Sequence, residues 1–253
     1  EKAFIQSLIS DNPYASQDYI NFLSTLPQDQ KSRLLYGDWD YSEDINTLFR
    51  YDDIINSIYR FEPDLSKEKY MAIDVARMGS DQSIISIWVG LCLIDIKVYS
   101  KLKTTQLSAE IESLIKSHNI KRTNVIIDET GVGSGVVDQV NGKGFISNAS
   151  PLSGENYFNL KSQCYGTLSR LFQEGKISIN IMDRSIVEEL TQELLSIKLK
   201  NGDNDKKIQV TSKDEVKRIL GRSPDIADSI MMVMFYHIFN NNKPTGKYQL
   251  AFI

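Results

Sequence analysis

The sequence predicts an α/β fold on a central mixed sheet: a three-strand antiparallel meander, then alternating helices and strands, and a β-hairpin before the last helix. Three observations carry this prediction. Apolar, β-rich runs at 70–75, 83–89 and 91–99 follow one another across short turns, the pattern of a meander. Beyond them, apolar residues at helical spacing alternate with compact apolar runs. Finally, Asn201-Gly202-Asp203-Asn204-Asp205 separates two short segments, Ile197-Lys198-Leu199-Lys200 and Lys207-Ile208-Gln209-Val210, a strong hairpin signal.

The 253 residues suffice for one sizeable core and a smaller appendage. A hydrophobic fraction of 41% and a charged fraction of 25% are those of an ordinary globular protein. No apolar run reaches the roughly 18 residues of a membrane span, and residues 1–11 lack the pattern of a secretory signal. With only Cys92, Cys164, His118 and His237 available, a Cys/His zinc site is excluded and a disulfide framework is not expected. A reducing cytosol is the expected compartment. The net charge of −4 argues mildly against nucleic acid. A site that gathers carboxylates for metal ions weakens that argument, because the local distribution of Lys and Arg then decides DNA contact.

Residues 1–61 differ in texture from the rest. Two short helices are expected, at 16–26 with Ser16 as N-cap and at 27–35 closed by Gly37. An acidic stretch at 38–44 and apolar spacing over 45–58 follow. The region is too short to bury a core alone and reads as a connector that packs against something else. Residues 62–240 form the main domain, and 241–253 a tail. Within that domain Met78-Gly79-Ser80-Asp81 supplies the first turn, and Asp81 shapes it. Helices are expected at 105–118, from 134, at 158–174 and 185–195, with strands at 125–127, 144–146 and 177–181. Pro224 is expected at the first position of a final helix reaching about 239. This order of elements is that of an RNase H-like domain.

Three carboxylates stand where a core would not choose them. Asp74 sits inside an apolar strand, Asp128 ends Val125-Ile126-Ile127, and Asp228 lies one turn into an apolar helix. A buried carboxylate is costly unless it is hydrogen-bonded, paired or metal-bound. Hard cations such as Mg²⁺ take oxygen ligands, and two ions about 4 Å apart assist phosphodiester hydrolysis. An Asp at a strand end also caps turns, and one in a first helical turn also complements the dipole. Asp225 shares a helical face with Asp228 and has both readings too. Glu129 reads as a surface or turn residue, pointing away from the face that Asp128 uses. Gly131-Val132-Gly133-Ser134-Gly135 lacks the Gly-Lys-Ser/Thr ending of a phosphate-binding loop. It reads instead as a tight turn into a helix whose backbone runs close to the acidic site. ATP hydrolysis is therefore not expected.

Several stretches resemble, in order, the nuclease domain of tailed-bacteriophage terminase large subunits. They are Ala72-Ile73-Asp74-Val75-Ala76 with Gly79 and Asp81; the run from Asp128 to Asp138; and Ser212-Lys213-Asp214-Glu215 followed by Gly221 to Ser229. Leu34-Leu35-Tyr36-Gly37-Asp38-Trp39 is similar to the end of the motor's ATPase half. The resemblance implies an RNase H-like endonuclease that cuts double-stranded DNA during genome packaging in the cytoplasm of an infected bacterium. It implies Asp74, Asp128 and Asp228 as catalytic metal ligands for Mg²⁺ or Mn²⁺, with two ions and with Asp225 as an additional ligand. It also implies an ATPase domain of the same polypeptide, a portal and a small terminase subunit as partners. For DNA contact the sequence offers Lys198, Lys200, Lys206, Lys207, Lys213, Lys217, Arg218 and Arg222, with Lys161 and Arg170 as weaker candidates. A resolvase- or transposase-type nuclease, and a non-cutting DNA- or portal-binding module, are the alternative readings.

Overall fold

Strand β1 (Lys69–Asp74) runs antiparallel to β2 (Gln82–Val89), which runs antiparallel to β3 (Cys92–Ser100) in the computed structural model. The structure describes residues 8–37, 46–76, 82–200 and 206–241. Asp81 with the first hairpin turn, the acidic stretch 38–44, the hairpin tip 201–205 and nearly all of the tail lie outside them. Strand β4 (Val125–Asp128) pairs parallel with β1, β5 (Lys143–Phe145) parallel with β4, and β6 (Ser178–Ile179) parallel with β3. The sheet order is β5-β4-β1-β2-β3-β6, an RNase H-like arrangement with one strand added beyond the meander.

Side chains alternate across a strand, so each strand feeds two cores. Met71, Ile73, Ile85, Ile87, Val125 and Ile127 face α4 (Thr104–His118) and α5 (Gly133–Val140), where Leu107, Ile111, Val136 and Val140 complete a wholly apolar cluster. Ala72, Ile84, Trp88 and Ile126 face the other way. They join a larger core with α6 (Leu160–Gln173), α7 (Arg184–Ser196), α9 (Asp225–Met232) and α10 (Met234–Asn241). Each fully buried isoleucine or leucine here contributes about 1.5–3 kcal/mol relative to exposure.

The N-terminal segment supplies α1 (Gln17–Thr25), α2 (Gln28–Leu34) and α3 (Tyr51–Ile55). Ser16 caps α1 by accepting the Tyr19 N–H. Leu48, Phe49, Tyr51 and Ile54 are buried in the larger core, and Phe49 meets Tyr165 and Phe172 edge-on at 6.3 and 5.9 Å. Among the described residues, what this stretch packs against is the α6 side of the sheet. The hairpin stem is present as a Leu199–Val210 antiparallel bridge. It is flanked by hydrogen bonds from Lys200 N–H to the Gln209 carbonyl (2.7 Å) and from Thr211 N–H to the Lys198 carbonyl (2.9 Å).

Three expectations need correction. The single final helix is divided: α9 ends at Met232 and α10 begins at Met234. Pro224 is the N-cap, not the first helical residue, because its ψ of 58° lies outside the helix while its carbonyl accepts the Asp228 N–H at 2.9 Å. Asp225 thereby becomes the first residue of α9. Strand β6 is also shorter than expected, since only Ser178 and Ile179 pair with β3 before the chain turns toward α7.

Candidate metal centre

The alternation that builds the two cores also aims the carboxylates. Asp74 follows Ala72 on the larger-core face of β1, and Asp128 follows Ile126 on the same face of β4. The parallel register pairs Ala72 with Ile126 and Ile73 with Ile127, so one further step sets Asp74 beside Asp128. Helix α9 crosses this face, pinned by Ser229, whose hydroxyl donates to the Ala72 carbonyl (3.1 Å) and lies 2.9 Å from Ser86 Oγ. Asp225 and Asp228, one turn apart, both come to the sheet. The capping box of Ser212 and Glu215 starts α8 (Lys213–Leu220), and its first residue reaches into the gap.

Lys213 Nζ lies 3.1 Å from Asp74 Oδ2, 2.9 Å from Asp225 Oδ1 and 3.4 Å from Asp228 Oδ2. From α6, Lys161 Nζ sits 2.7 Å from Asp228 Oδ1, and the Tyr165 hydroxyl donates to the same oxygen at 2.6 Å. The second oxygen of Asp225 accepts the Gln82 N–H at 3.4 Å, and Asp128 accepts the Thr130 N–H at 3.0 Å. Asp74, Asp225 and Asp228 are only 4, 7 and 6% exposed. A cavity of about 300 Å³ opens over Asp74, Asp128, Asp228, Lys161 and Lys213.

Burial pushes the Asp74 carboxyl up to about 7. Lys213 opposes this, while Asp228, Asp225 and Asp128 add to it. Burial also works against charge on Asp228, but Lys161, Lys213 and the Tyr165 hydrogen bond outweigh it and hold its pKa below the ordinary aspartate value. Burial disfavours the Lys213 ammonium, yet the three carboxylates outweigh that and keep it protonated. Burial, then the adjacent Asp228, raises the Tyr165 phenol well above its usual range, so it remains a donor.

Four carboxylates face two ammonium groups, so the cluster stays short of positive charge. These are hard oxygen donors, the set that suits Mg²⁺ or Mn²⁺. Among the described residues no group of three acidic, histidine or cysteine side chains is arranged to hold a metal as it stands. Lys213 fills the point where three of the carboxylates meet. The donor chemistry therefore fits a divalent ion once that ammonium moves aside.

The basic patch expected from sequence divides in the structure. Lys213 is drawn into the acidic cluster, and Arg222 turns onto Glu189 at 3.0 Å and onto Glu193. Both sit where carboxylates outcompete solvent. Lys200 pairs with Glu215 at 3.1 Å, and Lys198 Nζ is 3.4 Å from Thr47 Oγ1. Lys206, Lys207 and Arg218 are exposed. Of the weaker candidates, Lys161 belongs to the acidic cluster and Arg170 pairs with Glu174 at 3.0 Å. Glu129 lies over Gly144 of β5. At Gly133 an added Cβ would stand 1.7 Å from the Asp128 carbonyl oxygen, so α5 can start this close to the acidic strand end only with glycine there. Tyr165 is the member of the site that the sequence reading missed. Its only signal is an i,i+4 spacing from Lys161 on α6.

Solved structures share this architecture. The nuclease domain of the large terminase subunit gp2 of bacterial virus Sf6 superimposes with a TM-score of 0.64 at 19% identity, covering 74% of this chain and 98% of that one. The large terminase nuclease from thermophilic phage G20c gives 0.51 at 14% identity over 75% and 98%. The fold is that of a phage terminase nuclease domain. A mutant of the Sf6 domain solved with manganese gives a TM-score of 0.63 at 18% identity over 74% and 98%. No protein-family model matches the chain, and no curated protein is found similar to it. Within this terminase-nuclease fold the acidic cluster lies at the ends of the adjacent parallel strands β1 and β4, beneath α9. Among the described residues no helix is long and apolar enough to cross a membrane.

Proposed function

We propose that the chain is a divalent-metal-dependent endonuclease that cuts double-stranded DNA during viral genome packaging. The observation that supports it best is the gathering of Asp74, Asp128 and Asp228 at one cavity on a terminase-nuclease fold, with Asp225 joined to them through Lys213. Asp74, Asp128 and Asp228, with Asp225, would hold Mg²⁺ or Mn²⁺, two ions in all. Bound there, such ions supply Lewis acidity toward a phosphodiester and lower the pKa of an attacking water. The chain's own residues prepare the site. Lys161 and Tyr165 fix the Asp228 carboxylate from α6, the Thr130 N–H orients Asp128, and Lys213 balances the cluster until it yields its place.

DNA would lie across the cavity mouth, its phosphates met by Lys206, Lys207 and Arg218, with Lys198 and Lys200 on the hairpin stem. Residues 1–61 would connect to an ATPase domain of the same polypeptide. A portal and a small terminase subunit would be further partners, in the cytoplasm of an infected bacterium. A second reading, a DNA- or portal-binding module that does not cut, draws on the position of Lys213 among the carboxylates. Incubating duplex DNA with the chain in Mn²⁺, in Mg²⁺ and in chelator separates the two. Cleavage dependent on the ion and lost in Asp74→Ala supports the nuclease; binding without cleavage in any ion supports the module.

A further inference from the structure

We propose that Glu193 is a positioning residue for the acidic site, acting as the missing N-cap of α9 from a neighbouring helix. The inference rests on the metal-site reading above and adds a residue to it. A helix begins with backbone N–H groups that find no partner within the helix, and a Ser, Thr, Asp or Asn side chain at the N-cap usually takes one of them. At the N-cap of α9 stands Pro224, which has no side-chain oxygen to offer. Yet this first turn must hold steady, because Asp225 is its first residue and Asp228 its fourth.

Glu193 of α7 fills the vacancy. Its Oε2 accepts the Ala227 N–H at 2.7 Å, and its Oε1 is gripped by Arg222 Nη1. Ala227 lies between the two carboxylate-bearing residues, immediately before Asp228. The carboxyl group is 1% exposed, and a polar group so deeply buried is tolerated only with partners of this quality. Arg222 is itself held by Glu189 Oε1 at 3.0 Å and lies two residues before Pro224. The pair therefore ties the approach to α9 and its first turn to the same point on α7. A purely structural salt bridge could form at any position along α7. This one places its acceptor on the first-turn N–H immediately before Asp228.

The test uses the whole chain and two substitutions that separate reach from charge. Glu193→Gln keeps an oxygen at the same distance and removes the ionisable group, whereas Glu193→Asp keeps the carboxyl and withdraws its oxygen. Mn²⁺ affinity is measured by calorimetry, and amide exchange across α9 is measured without metal. The parent should protect the Ala227 amide. Glu193→Asp should speed exchange in the first turn of α9 and weaken Mn²⁺ binding about 10-fold or more, as loss of an outer support for metal ligands does. Glu193→Gln should stay close to the parent in both readouts. An unprotected Ala227 amide in the parent, unchanged Mn²⁺ affinity in a folded Glu193→Asp, or a weaker Glu193→Gln than Glu193→Asp would each overturn the proposal. If the parent binds no Mn²⁺ at all, the metal reading fails, and the capping role is decided by exchange alone.

Discussion

The two faces of the central sheet are made from alternate residues of the same strands, yet they do different work. Toward α4 and α5 the strands present Met71, Ile73, Val125 and Ile127, and that face is apolar to its end. Toward α6 and α9 they present Ala72 and Ile126 and then, one step of alternation later, Asp74 and Asp128. The first face is stabilised by burial alone. The second spends part of that stability on carboxylates held in a buried cluster, which only lysines, a tyrosine hydroxyl and backbone N–H groups make tolerable. Folding and chemistry are thus separated by parity along the strand, not by distance.

The sharpest break between the faces should come from the acidic side. Asp74→Ala, Asp128→Ala and Asp228→Ala are each expected to lower metal-dependent DNA cleavage by more than about 100-fold, beyond the loss typical of an outer-shell change. Asp225→Ala should cost about 10-fold. All four should remain folded by circular dichroism. A folded Asp74→Ala or Asp128→Ala that cuts at the parent rate would remove the site from this face.

The mirror experiment belongs on the apolar side. Ile127→Ala, one residue from Asp128 but facing α4 and α5, should cost about 2–5 kcal/mol in denaturant unfolding. Mn²⁺ affinity of the folded protein should stay at the parent value. A loss of metal affinity matching that of the aspartate variants would show that the faces are not independent.

A smaller effect follows from pH. The folded pKa of Asp74 is raised to about 7 from an ordinary 3.8, so its stabilising contribution is full below about 4 and is lost as pH rises through 7. Asn mimics the neutral carboxyl. In chelator, Asp74→Asn should therefore melt above the parent at pH 8, by about 5 °C, and the gap should close as pH falls toward 4. Glu193, raised to about 8 chiefly by burial, keeps its own slope of the same sign in both proteins and cancels from the difference. A gap that widens on acidification would mean that Asp74 is held as a stabilised anion.

The smallest effect on the fold is expected outside both faces. Reversing charge at Lys206 and Lys207 should leave the melting temperature unchanged. It should flatten the slope of log affinity for DNA against log salt by about 2 if each lysine neutralises one phosphate. An unchanged slope would place the DNA path away from the hairpin.

Much of this was legible in the sequence, for reasons that are local. The meander, the helices around the sheet and the positions of Asp74, Asp128 and Asp228 follow from periodicity and from charge placed inside apolar runs. What periodicity does not carry is the partner across space. Lys213 looked like one more cation of a surface patch, because nothing within ten residues of it reveals three carboxylates from β1 and α9. Arg222 has the same appearance, because its partner Glu193 lies far away in sequence, on α7. Tyr165 resembles any core aromatic until α9 is laid over it. The break at Val233 was equally hidden, since its flanks, Met231, Met232 and Met234, are as apolar as those of an uninterrupted helix.

The single-residue alternation of β1 also limits how this chain can change over evolutionary time. Adding or deleting one residue in the strand ahead of Asp74 would turn its apolar neighbour, Ile73 or Val75, toward the cavity and drive the carboxylate into the apolar cluster beneath α4 and α5. Length changes in β1 and β4 are therefore admissible only in pairs. Related chains, however far they drift in identity, should conserve the evenness of that count more strictly than the identity of any residue it contains.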